Sequence, residues 1–149
     1  MDPVTIRPAR PEDAEAIAAL ERECFSLPLT QEQVLAQLRD EKVFLLAAED
    51  RDGNLAGYAG CYAVLDEGYI TNVAVHAAYR RQHIADRLLE GLEKHAAESR
   101  LAFLTLEVRK SNTAAVALYE KHGYETRGIR KNYYERPRED ALIMTLDLK

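Results

Sequence analysis

The stretch from Tyr69 to Ala85 constrains this chain more than any other. Tyr69–Val75 is a β-type run that leads into a pair of cations, Arg80-Arg81, and the residues beyond carry Ile84, Leu88 and Leu92 on one helical face. A loop that enters a helix points several unpaired backbone N–H groups at one spot, and the helix dipole makes that spot favourable for an anion such as a pyrophosphate. Alone, Arg80-Arg81 reads as a solvated basic turn; the strand before it and the helix after it make it part of a binding loop.

The rest of the chain supplies a sheet for that unit to join. Val4–Pro8 is a short strand, and Pro11-Glu12-Asp13 predicts a helix start at about Glu12, running to Phe25 with Ile17, Leu20 and Cys24 on its buried face. Thr30 with Gln33 forms a capping-box pattern that opens a second helix through Leu38. Strands follow at Val43–Ala48 and Leu55–Leu65, joined by Asp52-Gly53. After the third helix come a strand at Leu101–Val108 and a helix at Asn112–Lys121 that His122-Gly123 ends. An antiparallel pair, about Tyr124–Lys131 and Ala141–Leu148, closes the chain. The order predicts an α/β (α+β) fold: a mixed, mostly antiparallel sheet of about seven strands flanked by about four helices. At 149 residues, one domain over 1–149 is expected.

The net charge of −5 argues against a surface built to neutralise nucleic-acid phosphates. The basic run Arg127, Arg130, Lys131, Arg136 and Arg138 therefore reads as a solvated face or a patch for an acidic partner, and no direct nucleic-acid binding is expected. Cys24 and Cys61 have no metal or CxxC spacing, and His76, His83, His95 and His122 lack ligand spacing, so no metal is expected. No basic-then-apolar leader opens Met1-Asp2-Pro3-Val4 and no run reaches membrane-spanning length, which predicts a cytoplasmic protein with no membrane contact.

The loop Arg80-x-x-His83-x-Ala85, placed after Val73-Ala74-Val75, resembles the cofactor motif of the GCN5-related N-acetyltransferases, R/Q-x-x-G-x-G/A after a strand. The resemblance implies acetyl-coenzyme A as cosubstrate. It implies that Val73, Ala74 and Val75 hold the pantetheine arm as an added strand and polarise the acetyl carbonyl. It implies that Arg80, Arg81, Gln82, His83, Ile84, Ala85 and Asp86 surround the pyrophosphate. His83 stands where the motif has its first glycine, and a helix-compatible φ there would let its ring point to solvent.

The block Leu106–Tyr124, with Glu107, Asn112, Tyr119 and Lys121-His122-Gly123-Tyr124, is more specific. Together with Leu65-Asp66-Glu67 and Lys131-Asn132-Tyr133-Tyr134, it resembles the RimI branch of that family, enzymes that acetylate the N-terminal alanine of a small-subunit ribosomal protein. The resemblance implies Glu107 as base, Tyr119 as acid and cofactor contact, and Asn112 as a further cofactor contact. Singly, each has a plainer reading: Glu107 as a surface partner of Arg109, Asn112 as a helix N-cap, Tyr119 as a core-edge aromatic. Their joint spacing favours the catalytic one, with Glu67 as the reserve base.

Chemically the assignment is coherent. An N-terminal amine, with a pKa near roughly 8, needs only a modest base, and a tyrosine hydroxyl can protonate a departing thiolate. Direct transfer in a ternary complex is expected, because neither cysteine has a partner base. In the resembling family the acceptor groove lies between the helix-1 to helix-2 segment, here Phe25–Thr30, and the final hairpin, here the region from Tyr133 to Asp140. Leu29, Glu67, Tyr133 and Asp140 are the candidate substrate contacts, and Pro28-Leu29 stands where RimI-like chains often carry Pro-Trp. The expected partner is a peptide or protein N-terminus, with the enzyme a monomer or weak dimer. A lysine or small-molecule amine acceptor, or an acyl-coenzyme A-binding module with weak turnover, are the alternatives.

Overall fold

The computed structural model describes residues 4–135 and 137–149; Met1, Asp2 and Pro3 of the N-terminus and Arg136 of the basic run lie outside the described residues. Strands are β1 (Val4–Pro8), β2 (Val43–Asp50), β3 (Leu55–Val64), β4 (Glu67–Val75), β5 (Phe103–Arg109), β6 (Glu125–Glu135) and β7 (Arg138–Asp147). Helices are α1 (Ala14–Cys24), α2 (Gln31–Leu38), α3 (Ile84–Glu98) and α4 (Thr113–Lys121). The strands form one sheet in the order β1-β2-β3-β4-β5-β7-β6, and only the β4–β5 pair is parallel. The expected mixed, mostly antiparallel seven-strand sheet with four helices is thus found among the described residues.

Local chemistry explains most boundaries. Pro11–Asp13 forms a 3-10 turn, so α1 starts two residues later than Glu12. Asp13 accepts from the Arg10 amide at 2.7 Å and from Arg7 at 2.8 Å, which spends its carboxylate outside the helix. The Thr30–Gln33 capping box opens α2, with the Thr30 amide donating to Gln33 at 2.8 Å and the Gln33 amide to Thr30 at 3.2 Å. Gly123 ends α4 at φ 94°, a conformation that costs glycine nothing.

The core has two parts, one on each face of the sheet. Ile17, Leu20 and Val34 of α1 and α2 pack on Leu45, Tyr58 and Ala74; Leu88, Leu89 and Leu92 of α3 pack on Leu104, Leu106 and Met144. A bulge in β4 makes this division possible. Gly60 pairs with Asn72 and Cys61 with Ile70, so Thr71 is an extra residue, and alternation restarts after it. Ile70 consequently faces α3 while Ala74, four residues on, faces α1.

The final hairpin differs from its expected form. β6 runs on to Glu135 and β7 begins at Arg138, so Tyr133–Glu135 and Arg138–Asp140 are strand rather than loop. A register shift between Arg130 and Tyr134 places Asn132 at φ 53°, and its amide donates to Asp140 Oδ1 at 2.9 Å. Asn132 is among the few non-glycine residues that tolerate this conformation, but the aromatic and basic residues around it hide the bulge.

Candidate active site

The sheet opens where β4 and β5 part. Among the described residues their pairing ends at Tyr69↔Thr105, so Val73–Val75 keeps its β3 partners, Ala59, Tyr58 and Gly57, and has none on its β5 side. Glu107 lies two residues beyond Thr105, the last residue of β5 paired with β4. Leu104, Leu106 and Val108 are buried in the α3 and α4 core, so Glu107 by alternation projects to the α1 and α2 face. Tyr119 belongs to the core on the other face. The gap between β4 and β5 separates the two residues, one on each face of the sheet.

Beside the gap on the Tyr119 side is a cleft of about 370 Å³ between Val75, the loop Tyr79–Asp86, and Ala114, Ala117, Leu118 and Lys121 of α4. Tyr79 anchors the loop by donating to Asp50, which also accepts from the amides of Asp52 and Asn54 at 2.9 and 2.8 Å. These bonds, that from Tyr79 foremost, hold the Asp50 carboxyl below the usual range. Arg81 and His83 are both left-handed, at φ 66° and 60°. The φ of His83 is not the helix-compatible one; the residue adopts the conformation the motif glycine supplies without cost. Its ring still points outward, 77% exposed, with Nδ1 3.2 Å from Asp86. Left-handed residues interleaved in such a loop gather backbone N–H groups into an anion-binding concavity, and α3 adds its N-terminus. The loop therefore suits a diphosphate, and the one-sided edge of Val73–Val75 suits an amide-bearing arm.

Asp86 itself is not open to a phosphate through its side chain. Lys121 Nζ lies 2.6 Å and His122 Nε2 2.9 Å from Oδ1. Burial alone would raise this carboxyl, but the bonds from Lys121, His122 and His83 together lower it to about 2. Asp86 thus reaches the cleft with its backbone, while Lys121 lends it positive charge.

Tyr119 is 8% exposed and stands edge-to-face with Tyr124 at 5.7 Å. Burial, and secondarily the nearby Tyr134, push its hydroxyl up to about 12, so it keeps its proton at neutral pH. Asn112 caps α4 by accepting from the Ala115 amide at 3.1 Å, as its position alone suggested.

Glu107 accepts from Arg130 Nε at 3.1 Å, with its side chain 30% exposed. The partner expected from sequence, Arg109, is engaged elsewhere: it donates to the Pro137 carbonyl at 2.9 Å and lies over the Tyr134 ring at 4.2 Å. Two residues apart on β5, the glutamate and arginine share a face, but the β6–β7 hairpin supplies each with a nearer partner. Arg127 likewise binds Asp147 and Glu125, so much of the basic run is spent within the fold.

The remaining candidates do not gather at one point. Glu67 pairs with Phe103 at the far end of β4, roughly 17 Å along the strand from Val73 at about 3.3 Å per residue once the bulge is allowed for, and accepts from the Tyr69 hydroxyl at 2.6 Å. Tyr133 is half-exposed on the hairpin, Asp140 is committed to the Asn132 amide, and Leu29 caps the groove wall through an amide bonded to Glu21 at 2.8 Å. Sequence reasoning missed Arg130 as the partner of Glu107, and it missed the buried set Glu21, Tyr58 and Asn72. A glutamate on the apolar side of α1 was the available signal.

The sequence pattern of the acetyltransferase (GNAT) family matches residues 14–124. The chain is 37% identical over 146 residues to the [ribosomal protein bS18]-alanine N-acetyltransferase of Escherichia coli (strain K12), covering 97% of each chain. Its fold is similar to the crystal structure of the ribosomal-protein-S18-alanine N-acetyltransferase from Escherichia coli, with a TM-score of 0.90 and 34% identity over 99% of this chain and 95% of that one. Ard1 from Thermoplasma volcanium shares the fold at a TM-score of 0.88 and 24% identity, covering 97% of each chain. A parted parallel strand pair, a left-handed loop leading into a helix, and full-length likeness converge on one assignment: the chain belongs to the acetyltransferase (GNAT) family.

Proposed function

We propose that this chain transfers the acetyl group of acetyl-coenzyme A to the N-terminal amine of a protein, the alanine of ribosomal protein bS18, by direct attack within a ternary complex. The observation that carries the reading is the gap between β4 and β5, with a cleft suited to a diphosphate on one face and Glu107 on the other. The acceptor rests on the relatives so named, which match almost the whole chain.

Acetyl-coenzyme A supplies a thioester carbonyl. The amine nitrogen attacks its carbon, the new C–N bond forms as C–S breaks, and the acceptor loses one proton while the thiolate gains one. Glu107 takes the first, directly or through a water, and Tyr119 gives the second, an arrangement supported by their places on opposite faces of the gap. Backbone N–H groups of Val73–Val75 polarise the carbonyl. Arg80, Arg81, Gln82, His83, Ile84, Ala85 and the Asp86 backbone hold the pyrophosphate, and Asn112 opens the α4 wall. Both cysteines favour a mechanism without an acyl-enzyme, because burial raises the Cys24 thiol and pushes Cys61 up to about 11. The distance of Glu67 from Val73–Val75 favours Glu107 as base, leaving Glu67, Leu29, Tyr133 and Asp140 as groove residues.

The test is thiol release from acetyl-coenzyme A with and without a peptide beginning at the bS18 alanine, for the parent, Glu107→Gln and Tyr119→Phe. Peptide-dependent release that both substitutions depress supports the reading. Release only with lysine or small-amine acceptors, or coenzyme A binding without turnover, overturns it.

A further inference from the structure

Glu21 is 1% exposed, the only buried glutamate of α1, and no cation is among its hydrogen-bond partners in the described residues. Three donors converge on it. The Leu29 amide reaches Oε1 at 2.8 Å, and on Oε2 the Tyr58 hydroxyl donates alongside Asn72 Nδ2 at 2.9 Å. Asn72 Nδ2 also donates to the Tyr58 oxygen at 2.8 Å, so the triangle closes. Every partner offers a hydrogen to the carboxylate, and the Tyr58 hydroxyl can also accept one.

What these donors belong to matters more than their number. Leu29 lies in the segment between α1 and α2 that walls the acceptor groove. Asn72 sits in the β4 bulge, immediately before Val73–Val75. Tyr58 pairs with Ala74 from β3. One side chain thus bonds both the acceptor wall and the strand that cradles the acetyl carbonyl. Cys24 adds a contact of the same sense, its thiol 3.8 Å from the Val75 carbonyl.

We infer that Glu21 is a positioning residue, which fixes the acceptor wall at Leu29 against the Asn72–Val75 backbone and so sets the approach of the amine to the acetyl carbonyl. This rests on the function proposed above. Its larger effect is on the acceptor wall at Leu29: Val73–Val75 is also held by its β3 ladder, and the diphosphate loop is held by Tyr79 and Asp50 independently of Glu21. Small displacements at such a wall are costly, since about 1 Å of misplacement can lower a rate by roughly 10²-fold.

The experiment compares the parent with Glu21→Leu, Glu21→Gln and Tyr58→Phe, measuring kcat, KM for the peptide, and acetyl-coenzyme A affinity by calorimetry. Glu21→Leu leaves the Leu29 amide and the Tyr58 hydroxyl without an acceptor and Asn72 with Tyr58 alone, and it is expected to raise peptide KM or lower kcat by about tenfold or more, with acetyl-coenzyme A affinity within about twofold. Glu21→Gln keeps a carbonyl for the Leu29 amide and is expected to recover peptide KM to within about threefold of the parent. Equal weakening of both substrates, or an unchanged peptide KM and kcat in Glu21→Leu, overturns the inference. If Glu21→Leu does not fold, Tyr58→Phe decides: it must impair the acceptor side alone, and no change there overturns the inference. If the parent ignores the alanine peptide, the function above fails by itself, and the same split is read with whichever amine it acetylates. Without turnover, peptide affinity measured calorimetrically in the presence of coenzyme A gives the same comparison.

Discussion

Asp86 and Lys121 meet at 2.6 Å and join the first turn of α3 to the last turn of α4 across one wall of the cleft. The carboxyl is opposed by burial and favoured by Lys121, His122 and His83, which bring it to about 2 from 3.8. A carboxyl lowered on folding contributes stability in full above its unfolded value and loses it as pH falls through the folded one. Asp86→Asn is expected to cost about 1 to 2 kcal/mol at pH 7, with the difference from the parent shrinking between pH 4 and pH 2. Urea unfolding at a series of pH values measures it.

Tyr119 is expected to matter for rate and little for stability. Its hydroxyl makes no hydrogen bond among the described residues, so Tyr119→Phe should leave Tm nearly unchanged while lowering kcat by about 10²- to 10⁴-fold. The phenol is held at about 12, above its ordinary 10, so its neutral form stabilises the fold fully below pH 10 and that contribution is lost as pH rises through 12. The pH–rate profile should accordingly rise near the acceptor amine's pKa of roughly 8 and show no decline from Tyr119 below about pH 11. A basic limb near pH 9 that disappears in Tyr119→Phe would show that the phenol is not held up to about 12 in the working enzyme.

His83 pays for a left-handed backbone with about 1 kcal/mol that glycine would not. His83→Gly should fold with stability within about 1 kcal/mol of the parent, because the relief offsets the added freedom of the unfolded chain, and it should bind acetyl-coenzyme A at least as tightly. His83→Val, branched at Cβ, is expected to lose both stability and affinity. Calorimetry with acetyl-coenzyme A and thermal melts of the three proteins check the order.

Gly57 lies opposite Val75, and a Cβ there would come 2.7 Å from the Ala74 carbonyl oxygen. That neighbour is backbone and cannot rotate away. Gly57→Ala is expected to cost about 1 to 3 kcal/mol and to weaken acetyl-coenzyme A binding by moving β4 toward the gap. Denaturant unfolding and ligand titration of the same variant measure the two effects.

Much of this was legible in the sequence because it depends on neighbours along the chain. The capping box at Thr30, the glycine stop at Gly123 and the alternation of β5 are local codes, and each element they delimit is where it was expected. What escaped depends on pairing across the sheet. The Glu107–Arg130 contact joins residues 23 apart, and the extension of β6 past Lys131 follows from Tyr134 finding Glu139. Within residues 128–135, Asn132 was the available signal for a left-handed break, and sequence reasoning missed it. His83 shows the converse: its departure from the motif was plain, while its left-handed backbone is set by the loop around it rather than by the residue's own preference.

The parting of β4 and β5 also bears on how the protein keeps its shape. A sheet interrupted at its only parallel junction has a seam, and cofactor whose amides run along Val73–Val75 would close that seam with a strand the chain does not encode. Occupancy would then act as a fold-completing step: by mass action, about 100-fold excess over Kd adds about 2.7 kcal/mol. The lifetime of this protein in a cell would follow the supply of its acyl donor.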